Sequence, residues 1–389
     1  MKRFLAAEPL FRSRRRRRIA LEAIFGVAAG AVLLYLVVRA MDLTLGYGYL
    51  TAPTGFQISH QWLTDFNPSA SRREAFLVAL WNTVRIVSVG IVLATVIGVT
   101  IGVARLSTNW LVRSLATLYV EAIRNTPLLV QIIFWYFAVF LALPRIEDGL
   151  DIGGVVFLSN RGLALPSLAG GSIAWIWTAL VALSLVGGGF VRMWRNNVEE
   201  RTGKPGYGNR YGVVSFLALA TIAYFALGMP VSITLAETES VGSGTLRYTG
   251  GLSVTPEFAA VLVGLTIYTA AFIGEIVRGA IQSLPKGQFE AGAALGLSAY
   301  ERTTLIILPQ ALRTIIPPLT NQYLNLLKNS SLAVAVAYPE IVFINRTFIN
   351  SIGHAVPIFL FVLVTYMVLS LLISVVMNLL NSRVQMVGR

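Results

Sequence analysis

The chain has 389 residues, 56% hydrophobic and only 13% charged, with no cysteine and two histidines, His60 and His354. That charge content is about half that of a soluble domain, and the composition leaves no disulfide, no thiolate metal site and no histidine cluster. The formal charge of +13 would suit nucleic acid in a soluble protein, but Lys and Arg gather at the ends of apolar runs, where membrane topology accounts for them.

Residues 1–18 form a basic tail, with arginine at every position from Arg14 to Arg18. Like charges repel, so no packed structure is expected there, and the tail suits an anionic cytoplasmic leaflet. Residues 19–40 make a first apolar span. It is longer than a signal-peptide core and no A-x-A site follows, so it reads as an additional, uncleaved N-terminal helix. Residues 41–75 read as loop, and Ser71 and Glu74 have the spacing of a capping box.

Span two covers 76–103, where Gly98 and Gly102 allow a close helix crossing. A link carrying Arg105 and Arg113 leads to span three, about 119–143, with Pro127 near a helix start. Residues 144–171 read as loop. Spans four (172–190) and five (211–228) flank a polar loop, 191–210, that holds Arg192, Arg195, Arg201, Lys204 and Arg210. Thr255, Pro256 and Glu257 supply an N-cap, an N1 proline and an early acid for span six, 258–281. Spans seven and eight cover 317–336 and 356–380. Apolar runs of this length cross a bilayer as helices, so the expected fold is an all-α membrane protein of about eight transmembrane helices. With that count the basic connections and both termini share one side, the cytoplasm by the positive-inside rule.

Between spans six and seven lies PKGQFEAGAALGLSAYERTTLIILP, Pro285 to Pro309. Glu290 is followed by Ala291, Gly292, Ala293 and Ala294, with no bulky side chain before Leu295. Gly296 suits a helix C′ position with positive φ. Ser298 and Glu301 are spaced as a capping box, so a second helix starts there, and Pro309 limits how far it runs undistorted. The expectation is a short helical hairpin with a smooth face on which another surface can dock.

These residues resemble the signature of permease subunits of ATP-binding-cassette importers, whose cytoplasmic loop reads EAA, three residues, G, nine residues, I, one residue, LP. Here Glu290-Ala291-Gly292, Gly296, Ile306 and Leu308-Pro309 stand at those spacings, with Gly292 in place of the third alanine. Arg124 to Gln131 (RNTPLLVQ) and Ile273 to Gly287 (IGEIVRGAIQSLPKG) are similar to segments of the polar-amino-acid branch of that family. The enlarged layout resembles the larger permease of a general L-amino-acid uptake system. The resemblance implies a five-helix type I core in two parts, 72–145 and 255–385, with a cytoplasmic coupling loop at 284–316. Residues 146–254 are then a periplasmic loop with an inserted transmembrane hairpin. It also implies a bacterial inner membrane location, a second permease subunit (a copy or a different chain), ATPase subunits inside and a periplasmic substrate-binding protein outside.

No G-x-x-x-x-G-K-[ST] phosphate loop is present. The chain is therefore expected to be a translocation subunit, not an enzyme, with no cofactor of its own; ATP and magnesium belong to the partner ATPase. Charges inside spans mark a path or a pairing: Arg85 in span two, Glu275 and Arg278 three apart in span six, and Lys328 with Asn329 and Ser330 in span seven. Glu275 for an ammonium and Arg85 or Lys328 for a carboxylate would suit an amino acid. The plainer alternative pairs Glu275 with Arg278 and leaves Lys328 to hold two permeases together. Arg124, Asn125 and Thr126 read as a gate or as a helix start. The alternative function is an ion-gradient-driven carrier of small polar solutes, which calls for broken helices repeated in two halves.

Overall fold

The computed structural model describes residues 47–58, 66–170, 174–203, 206–229, 231–241 and 245–385, with isolated positions between 24 and 31. The basic tail and the expected 19–40 helix lie outside the described residues. The chain is mostly helical. Its helices are α1 (Arg72–Ala104), α2 (Trp110–Arg124), α3 (Leu128–Phe134), α4 (Ala174–Thr202), α5 (Gly208–Ala226), α6 (Pro256–Gln282), α7 (Lys286–Ala294), α8 (Leu308–Asn329), α9 (Ile341–Ile352) and α10 (Ala355–Gln385).

Among the described residues four helices are long and apolar enough to cross a membrane, or six if each of two bent pairs counts as one crossing. The expected eight are not all present in that sense. One falls outside the described residues. The other, α5, begins Gly208-Asn209-Arg210 and is not among the helices that pass. The expectation of an all-α fold is also corrected. Strands β1 (Leu150–Ile152), β2 (Val156–Ser159), β3 (Gly162–Leu165), β4 (Ser167–Gly170), β5 (Val231–Thr234), β6 (Glu237–Val241), β7 (Thr245–Thr249) and β8 (Leu252–Val254) form within 150–254. β1-β2-β3-β8 make one antiparallel sheet; β4 pairs β5, and β6 pairs β7. Tight turns make these pairings possible: Gly153 and Gly154 sit at φ +70° and +69°, and the Asp151 carboxylate accepts the Gly154 N–H at 2.7 Å.

The chain divides into two compact units, residues 1–82 with 339–372, and residues 83–338 with 373–389. In the first, Ser71 and Glu74 close the expected capping box, with reciprocal backbone bonds of 3.3 Å each. Tyr49, Ile58, Phe66, Ala75, Val78 and Phe348 belong to its core. Helix α9 was not expected. Fully buried Glu340 caps it, accepting the N–H groups of Val342 and Phe343 at 2.9 and 2.8 Å, and the Tyr366 hydroxyl donates to the same carboxylate at 3.0 Å. Gly353 ends the helix at φ +72°.

In the second unit α6 is the centre, capped by Thr255 with Pro256 at its first turn. α1 crosses it at Gly98 and Gly102. A methyl on Gly98 would lie 2.6 Å from Ile273 Cβ, and one on Gly102 would lie 2.7 Å from Val277 Cβ. Small residues let two backbones approach, which is the main source of helix association in lipid. Three expected boundaries move. The link before span three contains α2, capped by the Asn109 side chain; α2 and the α3 segment are bent by 102° at Asn125–Pro127. The loop between spans four and five shrinks because α4 runs on to Thr202. Span seven does not start at Pro317: α8 passes through Pro317 and Pro318 without ending.

Replacing Gly98 with valine is predicted to lower stability by roughly 1–3 kcal/mol through overpacking, read as a lower thermal midpoint of the purified protein. Gly187→Ala, whose methyl would meet Leu219 Cδ1 at 3.5 Å, leaves the midpoint unchanged.

Candidate functional site

The hairpin at 285–309 is built from its turn outward. Leu295 is the C-cap of α7 and Gly296 follows at φ +74°. The Gly296 N–H bonds the Ala293 carbonyl at 3.0 Å, and the Leu297 N–H bonds the Gly292 carbonyl at 3.2 Å. That is the paired geometry of a Schellman turn. One residue later Ser298 opens the next helix with a closed capping box: its N–H donates to the Glu301 carboxylate at 2.8 Å, and the Glu301 N–H donates to the Ser298 hydroxyl at 3.3 Å. The chain then makes a turn of π-helix, Arg302–Ile307, before α8. Pro309 follows this π turn within a continuous helical run from Ala299, and a π turn just before a proline is the kind of distortion that its missing N–H and its ring impose.

Gly292 was expected on the smooth docking face, but it is buried against the second helix. A methyl there would lie 2.9 Å from Arg302 Cγ and 3.0 Å from Ile306 Cδ1. Glycine at this position therefore lets α7 close on its neighbour. The outward surface consists of Glu290, Ala291, Ala293 and Ala294 with two large apolar side chains, Leu295 at 76% and Tyr300 at 75% exposure. Leu295 belongs with Glu290, Ala291, Gly292, Gly296 and Pro309 among the coupling residues expected from sequence; Tyr300 does not, although exposed bulky residues beside a small-residue run are what a protein partner covers.

A second constellation lies at the C-terminal part of α6. Glu275 is paired with Arg278 three residues on and with Arg105, which follows α1. Arg124, at the end of α2, lies 3.8 Å from the same carboxylate and over the Phe272 ring at 5.1 Å. One carboxylate thus ties three helices. Arg124, Phe272, Glu275, Thr314, Pro318 and Gln322 contribute to an open pocket of about 250 Å³.

Asn125 and Thr126 turn their side chains back on the helix end, to the carbonyls of Glu121 (2.7 Å) and Ala122 (2.9 Å). Buried Gln131 spans the break, its amide donating to the carbonyls of Ile123 and Thr126 at 3.0 Å each; sequence reasoning had given it no role.

Glu275 and Arg85 cannot face one substrate. The Arg85 guanidinium lies 4.3 Å from the Phe258 ring centre, and Phe258 precedes Glu275 by 17 residues of one helix, about 25 Å of axis. Lys328 is exposed and belongs to that far end as well. Its neighbour Leu326 lies beside Gly90 together with Leu262, about 20 Å along the axis from Glu275. Asn329 ends α8, and the buried Ser330 hydroxyl is spent on the Leu327 carbonyl at 2.7 Å.

The family model for the binding-protein-dependent transport system inner membrane component matches residues 202–386. The general L-amino acid transport system permease protein AapQ of Rhizobium johnstonii is 39% identical over 346 residues, 88% of this chain and 84% of that protein. The putative amino-acid ABC transporter permease protein YhdX of Escherichia coli is 39% identical over 350 residues, 89% of this chain and 87% of that protein. A glutamate/glutamine/aspartate/asparagine transport system permease protein of Rhodobacter capsulatus is 33% identical, covering 91% of this chain and 89% of its own length. With relatives this similar over nearly their full length, the chain belongs to the family of binding-protein-dependent transport system inner membrane components, among its amino-acid ABC permeases.

Proposed function

We propose that this chain is the transmembrane permease subunit of an ATP-binding-cassette importer for amino acids, taking its substrate from a soluble binding protein outside the membrane. The observation that carries the mechanism is the hairpin of α7 and α8. Its turn is pinned on both sides, its outer surface carries the small Ala291, Ala293 and Ala294 with the large apolar Leu295 and Tyr300, and it runs directly into α6 on one side and α8 on the other. A partner ATPase that binds ATP and magnesium would hold Leu295, Tyr300 and the Glu290–Ala294 face. Closure of two such subunits would drag the hairpin, and with it α6 and α8, opening the path to the other side. A second permease, a copy or a related chain, would complete the pathway.

The topology that goes with this reading is a multi-pass protein of the bacterial inner membrane with both termini in the cytoplasm. The crossings are residues 19–40, α1, the α2–α3 pair, α4, α5, α6, α8 and α10. α1, α2–α3, α6, α8 and α10 form a five-helix type I core, to which 19–40 and the α4–α5 hairpin are added; the strands of 150–254 lie outside. The positive-inside distribution supports this placement. The two broken pairs, α2–α3 and α8–α9, would also suit an ion-driven carrier, but the family membership favours the ATP-driven reading. The Glu275 cluster then serves as a tie that holds α1, α2 and α6 together at their cytoplasmic ends in one state and parts in the other.

Two outcomes test this reading. Gly296→Val forces a β-branched residue to φ +74°, a strained conformation worth on the order of 1–3 kcal/mol. It is predicted to abolish ATP-dependent uptake and substrate stimulation of the ATPase while the chain still inserts; retention of both sinks the coupling role. Glu275→Gln leaves Arg105 and Arg278 facing each other. It should lower stability by roughly 1–3 kcal/mol and reduce uptake, while Arg124→Gln, whose side chain is the more exposed partner at 3.8 Å, has the smaller effect on the thermal midpoint.

A further inference from the structure

The α4–α5 hairpin is not used by the coupling mechanism, yet it contains a built groove. The two helices cross at glycine: a methyl on Gly188 would lie 2.6 Å from the Gly212 carbonyl oxygen, and one on Gly212 would lie 2.8 Å from that of Gly188. Beside the crossing runs a groove of about 280 Å³, walled by Leu185, Val213 and Phe216, with Arg192 and Asn209 at the end nearest the start of α5.

Among the described residues three arginines stand at that end, Arg192, Arg195 and Arg210, against one carboxylate, Glu199, whose Oε2 would lie 3.0 Å from a methyl on Gly206. α5 starts there, and its N-cap residue Tyr207 gives no side-chain cap. Gly208, the first residue of α5, is buried, with the Asn196 side-chain oxygen and the Arg192 carbonyl oxygen packed against it. Arg195 is already engaged, its guanidinium 4.4 Å from the Tyr211 ring centre and its Nε donating to the Gly206 carbonyl at 2.9 Å. Arg210 lies over Tyr207 at 5.4 Å. Arg192 is exposed and lines the groove itself. An anion seated at this end would meet Arg192 and the Asn209 amide together. A free inorganic anion would leave the Leu185, Val213 and Phe216 walls unfilled; an amphiphile with an anionic head and an apolar tail fills both parts.

We propose that the groove between α4 and α5 binds an anionic phospholipid, its phosphate at Arg192 and Asn209 and one acyl chain along Leu185, Val213 and Phe216. Placing this end at the cytoplasmic leaflet rests on the topology proposed above. A guanidinium suits a phosphodiester because it can donate two parallel hydrogen bonds. The inserted hairpin would thereby carry its own lipid.

The test is native mass spectrometry of the purified full-length chain after exchange into phosphatidylglycerol or phosphatidylcholine. The wild type is expected to retain phosphatidylglycerol at least tenfold better than phosphatidylcholine, with retention undiminished by inorganic phosphate. Arg192→Ala keeps the Cβ that packs on Gly212 and should reduce retention about fivefold, the effect of one basic side chain near a membrane surface; Arg192→Lys should restore much of it. Val213→Trp, which fills the groove without altering charge, should reduce retention too. Equal retention by the wild type and Arg192→Ala, equal retention of the two lipids, or displacement by phosphate overturns the proposal. Labelling of Asn197→Cys from the cytoplasmic side checks the topology separately; labelling from outside overturns the leaflet assignment and leaves the groove result standing.

Discussion

Force applied to a surface helix reaches the membrane only if the joint behind that helix is stiff. In the mechanism proposed above the joint is the turn from α7 to the helix that becomes α8. The carbonyls that α7 leaves open at its end are taken by Gly296 and Leu297, and the N–H groups that the next helix leaves open are taken by Ser298 and Glu301. A helix end otherwise presents several unmatched groups, and a turn that relied on water for them would flex. Gly296 makes the arrangement possible, since its φ of +74° is a conformation that other residues adopt only under strain.

The rest of the second unit passes that stiffness on. α6 leaves the hairpin on one side and is among the most buried helices of the chain. α1 lies against it so closely at Gly98 and Gly102 that a single methyl has no room. Packed helices shift between discrete arrangements and do not deform smoothly. Glu275, bound to Arg278 on its own helix and to Arg105 beyond α1, adds a contact that has to be kept or broken as a whole. The carboxylate is partly exposed and stands among three arginines, so its charge is matched without full desolvation.

Much of this was legible in the sequence because it depends on local rules. The Gly296 turn, the Ser298–Glu301 and Ser71–Glu74 boxes and the Thr255–Pro256 helix start are statements about a few neighbouring residues, and the backbone obeys them. The Gly98/Gly102 approach followed from spacing alone. What could not be read depends on partners distant in sequence. Gly292 looked like part of a smooth face, and only the position of Arg302 and Ile306 shows that it faces inward. Arg85, Glu275 and Lys328 looked like one lining because each is a charge within a span, yet depth along α6 separates them. Helix α9 and the strands of 150–254 were overlooked although signals existed. Glu340 and Gly353 bracket the helix, and Gly153-Gly154 and Gly162 mark the turns, but short segments between long apolar ones are easily taken for loop.

The central claim is that a separate motor works this protein through the α7–α8 hairpin. The most direct measurement is accumulation of a radiolabelled amino acid in proteoliposomes holding the permease pair, the candidate ATPase and the binding protein. The account predicts accumulation against a gradient with ATP and an active ATPase, and none with a catalytically inactive one. Accumulation that continues with the inactive ATPase, or that follows an imposed ion gradient without ATP, would contradict it.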